Sequence, residues 1–107
     1  MPEVKITRPQ LREQIESFFE IPAELQIAHE ILIEVRRAET IHPNWPSDPV
    51  HAAAVLAEEA GEVVKAVNNV VTKHKGDSDY RTEAIQCAAM CVRFLKNLDK
   101  YDWGIEY

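Results

Sequence analysis

Three glutamates lie close together in the segment Leu56–Val63, at positions 58, 59 and 62. If this segment is a helix, at about 100° per residue, Glu58, Glu59 and Glu62 fall within roughly one third of its circumference. Three carboxylates on one face form the hard, oxygen-rich surface that Mg²⁺ or Mn²⁺ prefers. The spacing therefore makes this segment a candidate site for a divalent cation.

A second polar pair follows further along the chain. Glu83 and Gln86 lie three residues apart, and Glu83 shares an apolar stripe with Met90. A glutamate within an apolar stripe is costly to bury unless a cation or a hydrogen-bonding partner meets it. Pairs spaced i, i+3 on facing helices converge in helical bundles that bind metals through carboxylates. We therefore expect Glu59 and Glu62 to face Glu83 and Gln86.

Both segments also have a simpler interpretation, as ordinary parts of amphipathic helices. Acidic residues opposite an apolar stripe are usually a solvated face, and pairs such as Glu62 and Lys65 are common on helices. Glu83 suits the first turn of a helix, where the helix dipole favours a carboxylate. The two interpretations differ in whether the carboxylates meet in space.

The chain reads as four helices without a convincing strand, because apolar residues recur at helical spacing and prolines or polar linkers separate the runs. The predicted helices cover about residues 9–19, 22–40, 49–71 and 80–98. Thr7 is expected to cap the first helix, and Ser47 or Asp48 the third. The proline-rich loop, the polar linker and the unassigned tail are residues 42–49, 72–79 and 99–107.

The third predicted helix has two distinct faces. The glutamate face also carries His51, Val55, Lys65 and Asn69. The opposite face is an apolar surface made of Ala53, Leu56, Ala57, Ala60, Val63, Val64, Val67 and Val71. On the fourth helix, Cys87 and Cys91 are expected to be buried free thiols, since zinc sites and disulfide frameworks need more cysteines.

Composition and charge limit the function classes. With a net charge of −6, the chain lacks the clustered Lys and Arg needed to bind a nucleic-acid backbone, whereas a divalent cation would let it bind a nucleotide. No apolar run reaches the ~18–20 residues that span a bilayer, and no signal peptide is visible, so we expect a cytosolic protein without a membrane partner. The 107 residues form one domain, 1–107, of a size at which self-association helps to complete a core.

These motifs together resemble the all-α nucleoside triphosphate (NTP) pyrophosphohydrolase superfamily, which includes MazG and the dimeric dUTPases. Its pattern is Glu-Glu-x-x-Glu, a spacer, then Glu-x-x-Asp; this chain has Glu-Glu-Ala-Gly-Glu at 58–62 and Glu-Ala-Ile-Gln at 83–86. The chain is most similar to short MazG-like proteins of phage and mobile elements. The matching pieces, within about residues 30–98, are Glu34–Arg37, Trp45, Leu56–Val63 and Glu83–Ala89.

The resemblance implies an all-α, four-helix bundle-like MazG fold that assembles as a homodimer or homotetramer. It implies a hydrolase that cleaves an NTP or dNTP, with dNTP favoured, to the monophosphate and pyrophosphate in nucleotide-pool cleaning. The implied cofactor is Mg²⁺, with Mn²⁺ as an alternative.

The resemblance also implies roles for single residues. The expected metal ligands are Glu59, Glu62 and Glu83, with Gln86 as an outer or weak ligand. Glu58 and Glu59 are the expected catalytic carboxylates, of which Glu58 helps to hold a metal or to orient the attacking water. Trp45 is a candidate to stack on the base, or else a hydrophobic plug. The remaining candidates are His51 and Asn69 for sugar or phosphate, and Lys65, Lys73, Lys75 and Arg81 for the outer phosphates.

Gln86 departs from the superfamily pattern, which has aspartate at this position. A glutamine carbonyl ligates a hard cation more weakly than a carboxylate and without charge, so the metal count and ligand set stay open. An alternative from another class is a non-catalytic helical interaction or regulatory module. A carboxylate-bridged iron protein would need Glu-x-x-His pairs, which these helices lack.

Overall fold

The computed structural model describes residues 5–72 and 79–104, and over these ranges it is entirely helical. The elements are α1 (Arg8–Phe19), α2 (Ala23–Ile41), α3 (Pro49–Val71), α4 (Tyr80–Lys96) and a short 3₁₀ helix (Leu98–Lys100). The all-α class is confirmed, and each helix end lies within two residues of its prediction. Most of the predicted polar linker lies outside the described residues. None of the described helices is long and apolar enough to cross a membrane.

Side-chain caps fix where the helices begin. Thr7 Oγ1 accepts a hydrogen bond from the Gln10 backbone N–H at 3.3 Å, and Gln10 Oε1 accepts one from the Thr7 N–H at 3.0 Å. Asp48 Oδ1 accepts from the backbone N–H two residues further on at 2.9 Å, and Asp79 caps α4 in a similar way. These bonds satisfy N–H groups that a helix leaves unpaired in its first turn. The predicted caps Thr7 and Asp48 are confirmed.

Helix α4 lies at the centre of the packed helices. Both α2 and α3 pack against α4, whereas backbone packing between α2 and α3 is absent from the described residues. The ion pairs Glu30–Arg81 and Glu39–Lys96 join α2 to α4 in the same order along both helices, so these helices run parallel. The Asp102 backbone N–H, beyond the end of α4, donates a hydrogen bond to the carbonyl of Ser47, just before α3. The end of α4 therefore lies beside the start of α3, and the two helices run antiparallel.

Arg93 ties together one end of this arrangement. It is only 5% exposed, and its Nη2 donates to the His42 carbonyl, just after α2, at 2.6 Å. Its guanidinium lies 4.8 Å from the centre of the Trp45 ring, a favourable cation–π contact. Trp45 Nε1 donates to the Tyr101 hydroxyl at 2.6 Å, which in turn donates to the Phe94 carbonyl at 3.0 Å. The end of α2, the following loop, α4 and the chain beyond it are thereby joined.

The core consists mainly of small residues, and no large side chain in the described ranges is fully buried. Its buried apolar members are Val35, Ala38, Ala52, Ala66, Ala89 and Tyr101. Helix α1 packs against none of the other described elements. The radius of gyration is 21.4 Å, whereas a compact domain of this length has about 13 Å. Within a single described chain, three helices rather than four pack together.

The face of α3 that packs against α4 is not the most apolar face of the helix. The side that contacts the body carries Ala52, Val55, Leu56, Glu59, Val63 and Ala66, all buried or half-buried. The apolar surface noted in the sequence is mostly exposed, apart from Leu56 and Val63. On this side the small residues Ala52 and Ala66 are buried and let α3 approach α4 closely.

The cysteines differ in part from their predicted state. Both are free, as expected, but Cys87 is half-buried and Cys91 is exposed. The prediction of burial is therefore wrong for Cys91, because helical spacing along α4 turns it away from the two helices that cover the opposite side. Burial raises the pKa of the Cys87 thiol.

The variant Tyr101→Phe tests the hydrogen bonds beneath Trp45. It removes the hydroxyl that accepts from Trp45 Nε1, so a part-buried indole N–H loses its partner while ring packing is kept. We expect the free energy of unfolding, from urea denaturation at fixed protein concentration, to fall by about 1–3 kcal/mol. Tyr80→Phe, at an exposed position, is the control and should change it by less than about 0.5 kcal/mol. Equal stability of Tyr101→Phe and the wild type would contradict this account.

Candidate functional site

Two of the predicted carboxylates, Glu59 and Glu83, lie where α3 packs against α4. Glu59 is half-buried on the packing side of α3, and Glu83 is half-buried in the first turn of α4. Burial raises the pKa of Glu59, and the negative charges of Glu83, Glu58 and Glu62 raise it further, in that order. The strongest of these repulsions comes from Glu83, on the other helix. Glu59 and Glu83 therefore lie within electrostatic range of each other.

Helix α2 adds a carboxylate that sequence reasoning did not assign to the site. Glu34 is among the charges that raise the pKa of Glu59, and its own side chain is only 15% exposed. Arg37 donates from Nε and Nη2 to the two Glu34 oxygens at 2.8 and 2.6 Å, and this pairing lowers the pKa of Glu34. A usable signal was present, because Glu34 interrupts the apolar stripe of α2 as Glu83 interrupts that of α4.

Helices α2, α3 and α4 meet around a cavity of about 250 Å³. Its lining residues are Glu34, Arg37, Ala38 and Ile41 from α2, His42 just after it, Glu59 from α3, and Gln86, Met90 and Arg93 from α4. Carboxylate and amide oxygens suit a hard cation, and guanidinium groups bind phosphate oxygens. The cavity therefore combines the donors needed for a metal and for the phosphate groups that the metal would accompany.

The structure separates the other predicted site residues from this cavity. Glu58, Glu62, His51 and Lys65 are exposed on α3, and Asn69 is half-buried near its end. Trp45 is half-buried, with Arg93 over its ring and Tyr101 at its Nε1, in the surroundings of a packing residue. Arg81 pairs with Glu30 of α2, while Lys73 and Lys75 lie outside the described residues. The contacts predicted for these residues with a substrate stay predictions.

The side-chain oxygens near Glu59 are candidate ligands for a divalent cation. No group of three or more His, Cys, Asp or Glu side chains in the described ranges is arranged to hold a metal ion. The chemistry of the donors nevertheless fits Mg²⁺, since Glu59, Glu83 and Gln86 each offer an oxygen ligand and the carboxylates around Glu59 repel its charge. A cation bound there would relieve that repulsion.

Comparisons with known proteins bear on neither fold nor activity. No family model, curated protein or solved structure matches the chain. A helical fold alone implies no particular chemistry, so any function depends on the residues of the site itself.

Replacing Glu59 by glutamine removes a half-buried charge that its neighbours repel and keeps the side-chain shape. Without divalent cations at pH 7, we expect Glu59→Gln to unfold at a higher temperature than the wild type. The folded-state pKa of Glu59 is raised, so the wild type gains relative stability as the pH falls through that pKa, and the gain is complete below the ordinary value of 4.5. The difference between the two proteins should therefore shrink toward zero as the pH falls from 7 to below that value.

Glu13→Gln is the matched control for this measurement by scanning calorimetry. Its carboxylate is exposed on α1, which packs against none of the other described elements, so the melting temperature should change little at any pH. A Glu59→Gln protein that melts below the wild type at pH 7 in EDTA would show that the Glu59 charge is already compensated within the chain.

Proposed function

We propose that this protein is a Mg²⁺-dependent NTP pyrophosphohydrolase that converts an NTP or dNTP to the monophosphate and pyrophosphate. The observation that supports it most is Glu59, half-buried near Glu83 and lining a cavity that also presents Arg37 and Arg93. The resemblance to the MazG group supplies the reaction class. A MazG-like bundle, a cytosolic location and assembly as a homodimer or homotetramer are parts of the same proposal.

The site residues fall into two groups, one that would bind the cation and one that would bind the phosphate groups. Glu59, Glu62 and Glu83 would hold Mg²⁺, with Gln86 as a weaker ligand. Mg²⁺ supplies charge neutralisation as the bond between the α-phosphorus and the bridging oxygen breaks. Arg37 and Arg93 line the cavity, and their guanidinium groups would bind phosphate oxygens.

Water is the nucleophile in this reaction. Its oxygen attacks the α-phosphorus in line, the bond from that phosphorus to the α,β-bridging oxygen breaks, and pyrophosphate leaves with the bonding electrons. The proton of the water passes to Glu58 or Glu59.

A helical interaction module without catalysis is the second candidate. The observation in its favour is the amount of apolar surface exposed on the helices, including Leu25, Leu32 and Ile33 on α2 and Val64 and Val71 on α3. Large exposed apolar areas mark surfaces that bind other proteins. This candidate predicts no nucleotide hydrolysis at any metal concentration.

A product assay on the purified protein decides between the two candidates. Each common NTP and dNTP is offered with Mg²⁺, and the products are separated by ion-exchange chromatography. We expect monophosphate without diphosphate, and loss of the reaction on adding EDTA. Intact triphosphates with both Mg²⁺ and Mn²⁺ would contradict the enzyme and favour the interaction module.

Glu59→Gln and Glu62→Gln test the metal ligands. Each removes a carboxylate that would hold the cation, so pyrophosphate release should fall by roughly 100-fold or more, with helicity unchanged by circular dichroism. The control is Glu24→Gln, in the exposed first turn of α2, which should keep wild-type turnover. Unchanged turnover in both site variants would refute the ligand assignment.

Gln86→Asp tests the departure from the superfamily pattern. Aspartate restores an anionic oxygen ligand, so half-maximal activity should need a lower Mg²⁺ concentration than in the wild type. Gln86→Ala, which removes the ligand atom, should need more Mg²⁺. The Mg²⁺ dependence of the initial rate is the measurement, and identical curves for the three proteins would exclude Gln86 from the metal site.

A further inference from the structure

One side of α3 is apolar along its whole length and exposed in the single chain. Its residues recur at alternating spacings of three and four, the a and d positions of a heptad repeat: Val50, Ala53, Ala57, Ala60, Val64, Val67 and Val71. Val50 and Val71, at its two ends, are 76% and 72% exposed. We call these seven residues the α3 seam. The neighbouring e positions, Ala54, Gly61 and Asn68, carry no charge, so the pattern is that of a helix packed along another helix.

The exposed area of the chain is large enough for a stable homodimer. The accessible surface is 9108 Å², whereas a compact monomer of 12.2 kDa exposes about 6,100 Å². The excess is about 3,000 Å², part of it on α1, which packs against none of the other described elements, and an obligate homodimer covers about 1,000–2,500 Å² on each partner. The chain therefore has the uncovered surface that a second copy requires.

We infer that a second copy of this chain lays its own α3 antiparallel along the seam and forms a two-fold symmetric dimer. Side-chain sizes select this direction, because antiparallel packing can set every alanine of the central seam opposite a valine. The facing pairs are Ala53 with the partner's Val71, Ala57 with the partner's Val67, and Ala60 with the partner's Val64. Parallel packing instead sets alanine against alanine and valine against valine, which leaves gaps in some layers and crowding in others.

Charges beside the seam favour the same register. Glu58 and Lys65 are exposed at the b positions, on one flank of the seam. In the antiparallel register given above, Glu58 lies at nearly the same level as the partner's Lys65, and the symmetry produces this pair twice. Parallel two-fold packing would place this flank of the two copies on opposite sides of the helix pair, where Glu58 and Lys65 form no such pair. Exposed ion pairs add little stability, but they discriminate between orientations.

Gly61 is explained by the same arrangement. A Cβ built at Gly61 meets no atom of its own chain within 4 Å, so packing inside the chain does not require glycine there. Glycine in the middle of a helix is unfavourable relative to alanine. In the antiparallel register Gly61 lies beside the two-fold axis, where the absence of a side chain lets the two helices approach closely. The dimer therefore gives this residue a role.

Sedimentation equilibrium of the full chain tests the interface. We expect a wild-type dimer at micromolar concentration, and a dissociation constant raised at least ~100-fold in Ala57→Arg and in Gly61→Arg, since each buries a charge in the seam. Ala84→Arg makes the same alanine-to-arginine change at an exposed position of α4 and should leave the constant unchanged. Circular dichroism checks that each variant is folded. Gly61→Arg should fold normally, because the space around Gly61 is open in the single chain. A monomeric wild type, or seam variants that dimerise as the wild type does, would overturn the proposal.

Charge reversal tests the register. Glu58→Lys and Lys65→Glu each place like charges at both symmetry-related pairs, so each should weaken the dimer on the order of tenfold. The double variant Glu58→Lys/Lys65→Glu restores opposite charges and should recover the wild-type constant. Single reversals without effect, or a double variant without recovery, would overturn the antiparallel register. Neither experiment measures catalysis, so the outcome is independent of the proposed hydrolase activity.

Discussion

The burial of the Arg93 guanidinium constrains the whole helical body. A buried cation is costly unless hydrogen-bond acceptors or aromatic faces compensate it, and here the His42 carbonyl and the Trp45 ring do so. Both partners lie in the chain between α2 and α3, so Arg93 can be buried only when that chain folds over the end of α4. This requirement places α2 parallel beside α4 and starts α3 in the opposite direction. The candidate site depends on it directly, because Arg93 also lines the cavity.

The site occupies the contact between helices rather than a loop, and this has an energetic consequence. Glu59 lies on the packing side of α3, between the buried alanines Ala52 and Ala66, where an apolar residue would contribute more to stability. Its charge is instead repelled by Glu83 and partly desolvated. Functional sites often carry such unfavourable groups, because a ligand compensates them only when it binds. A cation would supply that compensation here.

The thin core explains why so much of the chain remains exposed. The residues buried between helices are mostly alanines, which let helices approach closely but contribute little apolar area each. The larger aliphatic side chains, such as Leu25, Leu32 and Val64, lie largely on the outside. A single copy therefore leaves its best apolar surfaces unused, and association is the usual way in which a chain of this size covers them.

Most of the secondary structure was predictable from the sequence, because local chemistry decides it. Prolines end or start helices through their own backbone geometry, and Thr7 and Asp48 cap the turns that directly follow them. Part of the site was predictable for a related reason. Glu83 stands out within an apolar stripe, and the i, i+3 spacing of the polar residues suggested that the two helices face each other.

Tertiary structure alone decided which helix faces meet. Helix α3 is apolar around much of its circumference, so its sequence is compatible with several packing sides, and only contact with α4 selected the one that carries Glu59. Glu34, Arg37 and Arg93 joined the cavity because α2 lies parallel to α4, a relation between segments about fifty residues apart that no local pattern encodes. Helix formation depends on neighbours within a few residues and can be read along the chain. The choice of packing partner depends on shape and burial over the whole molecule, and the sequence by itself leaves it open.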